Sequence, residues 1–505
     1  MITSRSILLL VGLASLSLPL LAHGYSLSPG QITAYNYATL KKNPSGPTVF
    51  LKSCLVTSGT GTAVTASSIV ASVGNTVTIT QTGTACDGTW TLTGVQNSSP
   101  YTYTWSSGET ASYSNLDTND QDVILLKVDA AHYYRYFREG TSDAHDPGVI
   151  REQTSSDGIN WTAATTLFAD TSGGCQGNNY DLRGIAGAVM PDGEQFLVWT
   201  KYCWISPATF VELDSGITTG GAWGASSKFV TPAAPTYQWI ATGASPAFFM
   251  PNGSIALVLD GCPASGPRSN CKTIPQPAIN WIVSTCNNGL TWGDTSCPNS
   301  LILVANNTQT TLPTNELGVL WVGGETLIGL DRNYNYAGNG WNCTTTSCPL
   351  VFASSPDLGT TWTFTPTNFA PSCSGHGTLV DDTMVSPILF NPGLGGPITA
   401  IWAERCIVSG PGNYGYLQSL TFDPQAAISN PTGFAAPQAV WNTTPGIIDF
   451  GYPSCSFSTT STMSCYWDSE QYGGGPLNLI GGSVTYVAPP ATVVKGAAVE
   501  GMVIQ

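Results

Sequence analysis

Charge is scarce in this chain. Only 9% of its 505 residues are Asp, Glu, Lys or Arg, and the 16 bases are outnumbered by 31 acids, for a net charge of −15. Nucleic acids and anionic membrane surfaces are bound by clustered positive charge, so neither is an expected partner. Histidine is rarer still, at four residues. Cys373-x-x-His376 is the one Cys/His cluster, too little for a zinc site, so no metal and no cofactor is expected. There is no P-loop, no GxSxG elbow and no HExxH, and the chemistries those motifs serve have no support. Past the first two dozen residues no apolar run is long enough to span a bilayer. Helix signals are almost missing.

What is present starts at the N-terminus. MITSRSILLLVGLASLSLPLLAHG carries Arg5, an apolar stretch over residues 7–21 and the small-residue site Ala22-His23-Gly24. This is the pattern of a secretory signal peptide over residues 1–24 and predicts a secreted chain, extracellular or periplasmic. Fourteen cysteines agree with export. Pairing each with its sequence neighbour (54 and 86, 175 and 203, 262 and 271, 286 and 297, 343 and 348, 373 and 406, 455 and 465) would close seven local loops, although spacing alone does not fix connectivity.

Gly, Ser, Thr, Asn and Pro punctuate short runs of Val, Ile, Leu, Tyr and Trp, an all-β pattern. One stretch recurs. SSPDLGTTW (354–362) has relatives in SSDGINW (155–161), TCNNGLTW (285–292) and the degenerate ITTGGAW (217–223), with tryptophans at 161, 223, 292 and 362. Gaps of 62, 69 and 70 residues, each holding several strands, predict propeller blades. Asp357 and Asp157 read as turn residues rather than as acids or bases of a reaction. A catalytic site needs different residues converging on one point, not one motif spread around a ring. Six blades are expected over residues 119–490, preceded by a small Thr-rich β module over 25–118 and followed by a tail over 491–505. CDGTW in the module lacks the period and reads as a hairpin turn.

These boxes resemble the Asp boxes of the sialidase (neuraminidase) superfamily, six-bladed β-propellers with BNR repeats, over roughly residues 120–490. The resemblance implies a retaining glycoside hydrolase acting on terminal sialic acid or a related acidic sugar. It also implies a tyrosine nucleophile whose proton is taken by a carboxylate, a separate aspartic acid/base, and arginines for the sugar carboxylate. In NELGVLWVGGETLIGLDRN (315–333) it implies Glu316 as the base and Arg332 as a carboxylate-binding arginine. In GYPSCSF (451–457) it implies Tyr452 as nucleophile, with Pro453 where the family usually has Ser. In the loop of FREGTSDAHDPGVIREQTSSDG (137–158) it implies Asp143 as acid/base, with Asp146 close behind and His145 between them.

Strand-end charges give an argument independent of family. Arg138, Arg332, and Glu404 with Arg405 close corresponding strands, so blade symmetry would gather these arginines, with Arg183, into a cationic pocket. One departure stands out. The first strand of the first blade reads DQDVILLKV and lacks the arginine that the family places there. The alternatives are therefore a secreted carbohydrate-binding or adhesion propeller without turnover, and a hydrolase or lyase of another acidic glycan. All three readings share a glycan partner.

Overall fold

The computed structural model describes most of the chain between Ser26 and Val487. Residues 1–25, 34–38, 47, 66–67, 81–85, 99, 109–110, 115–119, 141–145, 159–160, 206–208, 231–236, 242–245, 264–278, 298–300, 305–313, 334–348, 370–378, 391–396, 409–413, 443–446, 458–461, 472–476 and 488–505 lie outside the described residues. Apart from turns and connecting segments, the described chain is strand except for one short helix, Pro424–Ser429, capped by the Asp423 side chain.

Six antiparallel sheets follow one another in the sequence. The first is Asp120–Lys127, Tyr133–Gly140, Gly148–Ser155 and Thr165–Phe168. The second runs from Asp181–Val189 through Gln195–Cys203 and Thr209–Thr219 to short edge strands. In the third, Tyr237–Ala241 and Phe248–Phe249 both pair with Ile255–Pro263, which is followed by Ile279–Thr285 and Leu301–Leu303. The fourth is Thr314–Gly323, Thr326–Asn333, Val351–Ser355 and Thr363–Pro366. The fifth is Leu379–Phe390, Ile398–Val408, Tyr414–Phe422 and Gln438–Asn442. The sixth is Ile447–Phe457, Thr462–Gln471 and Leu477–Val487, and its outer strand is Ser26–Thr33 from the other end of the chain.

Each sheet packs on the next, and the sixth packs on the first. The strand Asp120–Lys127 shows why. Its residues alternate between two faces, and both are apolar. Ile124 and Leu126 join a core with Leu182, Leu197 and Trp199 of the second sheet. Val123 and Leu125 join Tyr466 of the sixth. At that closing seam Arg135 lies 4.4 Å from the Trp161 ring and 4.7 Å from the Tyr466 ring, and the Trp161 indole donates to the Tyr466 hydroxyl at 2.6 Å. Burial pushes the Tyr466 phenol up, so it stays a neutral hydrogen-bonding group.

The recurring stretch is one recurring turn between third and fourth strands. In the fourth sheet Ser355 Oγ accepts from Gly359 N at 2.7 Å and donates to Asp357 Oδ1 at 2.9 Å, while Asp357 accepts from Thr361 N at 2.8 Å and from the Thr361 hydroxyl at 2.7 Å. Gly359 has φ +94°, which only glycine adopts cheaply. Thr285, Asn287 and Gly289 repeat the pattern in the third sheet, and Ser155, Asp157 and Gly158 do so in shortened form in the first.

The degenerate copy in the second sheet lacks the aspartate, and a neighbour supplies the carboxylate. Glu194, from the adjacent hairpin, accepts from the Thr218 hydroxyl and from Gly220 N at 2.6 Å. Those bonds, the Thr218 hydroxyl foremost, hold the Glu194 carboxyl below its ordinary value of 4.5. The stabilisation is therefore complete above that value and is lost as pH falls through the lower folded one. Glu194→Ala is expected to lower Tm at pH 7, and the gap from the parent should close as thermal scans are taken to pH 3. A gap independent of pH would show that the carboxylate is not what holds the turn.

The strands of residues 39–114 form a separate seven-stranded sheet in which Thr39–Lys42 pairs with both Thr76–Thr80 and Thr48–Thr57. It has its own core around Trp105, Tyr103 and Leu92 and the disulfide Cys54–Cys86. CDGTW leads into its strand Gly88–Gln96, with the Trp90 indole donating to Cys86 O at 2.9 Å. Three further sequence-neighbour disulfides are present, Cys175–Cys203, Cys286–Cys297 and Cys455–Cys465. The other three pairings fall outside the described residues. Four disulfides fit an oxidising compartment. Among the described residues no helix is long and apolar enough to cross a membrane.

Candidate functional site

The innermost strands share an irregularity. In the first sheet Gln121 faces Arg138 and Ile124 faces Tyr136, so two residues, Asp122 and Val123, stand opposite Phe137 alone. The same two-against-one step puts Gly184 and Ile185 opposite Trp199, and Glu316 and Leu317 opposite Asp331. It puts Ser386 and Pro387 opposite Trp402, and Tyr452 and Pro453 opposite Trp467. The second residue of each pair is buried. The first takes the bulge. Asp122 has φ +53°, Gly184 +61° and Glu316 +62°. Left-handed backbone is costly for Asp and Glu, and bulges re-aim side chains. Five sheets thus insert one residue into their first strand, and Asp122, Glu316 and Tyr452 stand at three of those bulges.

Glu316 is 3% exposed and accepts from Arg332 Nη1 at 2.6 Å. The hairpin register explains the meeting, because Arg332 sits one step past the bulge on the neighbouring strand. Next to Arg332, Asp331 is fully buried and accepts from Asn280 of the third sheet at 3.3 Å.

Arg138 occupies in the first sheet the register position that Arg332 occupies in the fourth. Its surroundings differ. Expected to face a substrate, it is 0% exposed, donating from Nε to Asp181 Oδ1 at 2.7 Å and from Nη2 to Asp146 O at 2.7 Å and Oδ1 at 2.9 Å. Gly148 leaves room for this cluster, since a Cβ there would lie 2.5 Å from Asp181 Oδ1 and 2.7 Å from Arg138 Nε. Burial pushes the Asp181 carboxyl up against the pull of Arg138 and Arg183. Asp146 is tied to the Arg138 guanidinium through its side chain and its backbone carbonyl.

Arg183 is partly exposed. Its guanidinium is 3.9 Å from Asp122 Oδ2 and from Asp181 Oδ2, and lies 5.2 Å from the Trp204 ring. Glu404 is fully buried and accepts from Gln418 of its own sheet at 2.9 Å. The backbone of Arg405 pairs with Thr383 and Gly415, and its side chain, like that of Tyr452, lies outside the description. Asp143 and His145 lie outside the described residues.

The structure therefore joins Glu316 to Arg332, and Arg138 to Asp146 and, through Asp181, to Arg183. Sequence reasoning missed Asp122, Asp181 and Trp204. The available signal was an aspartate near the start of two apolar inner strands, DQDVILLKV and YDLRGIAGAV. Among the described residues no group of three or more metal-ligating side chains occurs.

No family model matches the chain, and no curated protein matches it. Among solved structures it is similar to a protein of unknown function from Dyadobacter fermentans, at 14% identity and a TM-score of 0.52, over 74% of this chain and 96% of that one. It is also similar to a Hadza microbial sialidase, at 11% identity and a TM-score of 0.48, over 90% of this chain and 93% of that one. A mutant of the NanB sialidase from Streptococcus pneumoniae is similar at 9% identity and a TM-score of 0.49, over 84% of this chain and 83% of that one. Of these three only the Dyadobacter protein has a TM-score above 0.5, and at 14% identity it describes a likeness of fold alone.

Proposed function

We propose that this chain is an exported, sialidase-like glycoside hydrolase built as a six-bladed β-propeller. It removes a terminal acidic sugar, sialic acid or a relative, with retention of configuration. The observation that carries the reading is the buried Glu316–Arg332 pair on a bulged inner strand, together with Tyr452 at the corresponding bulge of the strand Ile447–Phe457 two sheets further along the chain.

In this mechanism the Tyr452 oxygen attacks the anomeric carbon while Glu316 takes the phenolic proton. The glycosidic bond breaks, and Asp143 protonates the departing oxygen. Water, deprotonated by Asp143, then displaces the Tyr452 oxygen, which recovers its proton from Glu316. Arg332 and Arg405 hold the sugar carboxylate. Asp143 is favoured over Asp146 as the acid because Asp146 is committed to Arg138.

The test is release of a fluorophore from an aryl sialoside by the mature chain, with Tyr452→Phe beside it. Turnover by the parent and its loss in the variant support the assignment. Turnover that survives Tyr452→Phe removes the tyrosine from the mechanism. A second reading, a glycan-binding propeller or a hydrolase or lyase of another acidic glycan, draws on the enclosure of Arg138 and the missing arginine of the first inner strand. A folded parent that is inert toward sialosides but retained on a glycan array would favour it.

A further inference from the structure

The second and third sheets build the same hairpin tip, from MPDGE (190–194) and MPNGS (250–254). In the second, Met190 N donates to Glu194 O at 2.7 Å and Gly193 N to Met190 O at 2.9 Å. In the third, Met250 N donates to Ser254 O and Gly253 N to Met250 O, each at 2.9 Å. Proline presets the first turn position, and the glycines, at φ +86° and +80°, take the left-handed one. The residue before each glycine closes the tip with its side chain. Asp192 Oδ1 accepts from Glu194 N at 3.1 Å, and Asn252 Oδ1 from Ser254 N at 3.0 Å. The turn is therefore served by an aspartate as well as by an asparagine.

The two tips differ at their last position. Glu194 is engaged by the recurring turn of its own sheet, which has no acceptor of its own. The third sheet has Asn287 in that role, so position 254 is released from it. It carries Ser254, whose hydroxyl donates to Asn252 Oδ1 at 2.6 Å. Asn252-Gly253-Ser254 thus has the form Asn-x-Ser, and Asn252 is exposed at the tip. The leader pattern and the disulfides of the chain fit export.

Five other Asn-x-Ser/Thr stretches occur, at Asn97, Asn160, Asn306, Asn342 and Asn442. Asn160, Asn306 and Asn342 lie outside the described residues, as does the side chain of Asn442. Asn97 is built into the N-terminal module, its nitrogen donating to Ala71 O at 2.7 Å and its oxygen accepting from Ser68 and Ala71.

We propose that Asn252 is the acceptor of an N-linked glycan, transferred during export from a lipid diphosphate-linked oligosaccharide. Asn252 Nδ2 bonds to C1 of the first sugar, the C1–O bond to the lipid diphosphate breaks, and the amide proton is lost to the departing diphosphate. The product amide keeps its oxygen and one N–H, so the bonds from Ser254 persist. Phe249 pairs with Ile255, and Ile255 with Thr285, which places the tip at the recurring-turn end of its sheet. In the fourth sheet Glu316 and Arg332 stand at the end away from that turn. The glycan therefore leaves the candidate site open, and the proposal holds whether or not the chain is a hydrolase.

The experiment is secretion of the full chain from a eukaryotic cell, followed by reduction, trypsin and mass measurement of the peptide 229–268, which holds no other Asn-x-Ser/Thr. The parent peptide is expected to carry a glycan that peptide N-glycosidase removes. Asn252→Asp should lose that mass completely and keep Tm, because aspartate fills the same place in the second sheet. Ser254→Ala should lose the glycan too, and Ser254→Thr should keep it. A parent peptide without a glycan, or a Ser254→Ala peptide that still carries one, would overturn the proposal. None of these outcomes bears on Tyr452→Phe.

Discussion

Arg138→Met is expected to destabilise the fold by about 3–5 kcal/mol, the cost of removing one partner from a buried ion pair. The guanidinium is fully enclosed and bonds carboxylates from two elements, Asp181 on the second sheet and Asp146 beyond the hairpin loop. Without it Asp181, itself 1% exposed, keeps its burial and loses its nearest cation. The loss is a large share of a normal folding free energy. It should also depend on pH in a known sense. Burial raises the Asp181 carboxyl, and Arg138 is the main opposing charge. In the variant that pKa rises further above the unfolded value, so the folded state binds more protons than the unfolded one, and stability recovers as pH falls through the raised pKa. Urea titrations at pH 5 and pH 8 should show the larger deficit at pH 8. Arg138→Lys keeps the charge but not the fork, and should fall between the two. A small, pH-independent loss would mean that Arg138 is not what balances Asp181.

Glu316→Gln is expected to lower kcat on an aryl sialoside by about 10²–10⁴-fold, the usual contribution of a positioned base. The amide oxygen can still accept from Arg332, so the fold should survive. On the proposed mechanism KM should rise less than kcat falls, because the amide would leave Arg332 in place to hold the sugar carboxylate. Glu316→Gly separates backbone from chemistry. The residue sits at φ +62°, so glycine relieves strain there while deleting the base. It also strips the buried Arg332 of its carboxylate, so the assignment rests on Glu316→Gln: activity lost there with Tm retained would assign Glu316 to the reaction. Activity retained would move the base elsewhere on the ring.

Much of the architecture was legible because it repeats. The turn stretches need particular side chains, so Ser355, Asp357 and Gly359 announce themselves, and their spacing sets the sheet period. The second sheet hid its carboxylate in Glu194, outside the repeat, since only folding brings that hairpin to Gly220. The strand Ser26–Thr33 was assigned to the small N-terminal module by its place in the sequence, and it pairs instead with Leu477–Val487. No local pattern carries a partner that distant. The Glu316–Arg332 meeting was readable from one hairpin and its Gly-Gly turn. The enclosure of Arg138 was not, because it depends on Asp181, which belongs to another sheet and is not marked by spacing. Counting strand-end arginines could not show that Arg138 is enclosed by Asp181 and Asp146.

The pairing of Ser26 with Val487 has a consequence for how the molecule comes apart. In an open stack of repeats the terminal units fray, because each has only one neighbour. Here the sheet that contains the last strands also contains the first, and it packs on the sheet that follows the N-terminal module. No sheet of the ring is terminal. Opening at any seam must either separate a pair of packed faces or peel away a hydrogen-bonded strand, so unfolding behaves like breaking a clasp rather than unravelling an end. During synthesis that clasp cannot fasten until the strand Leu477–Val487 has emerged.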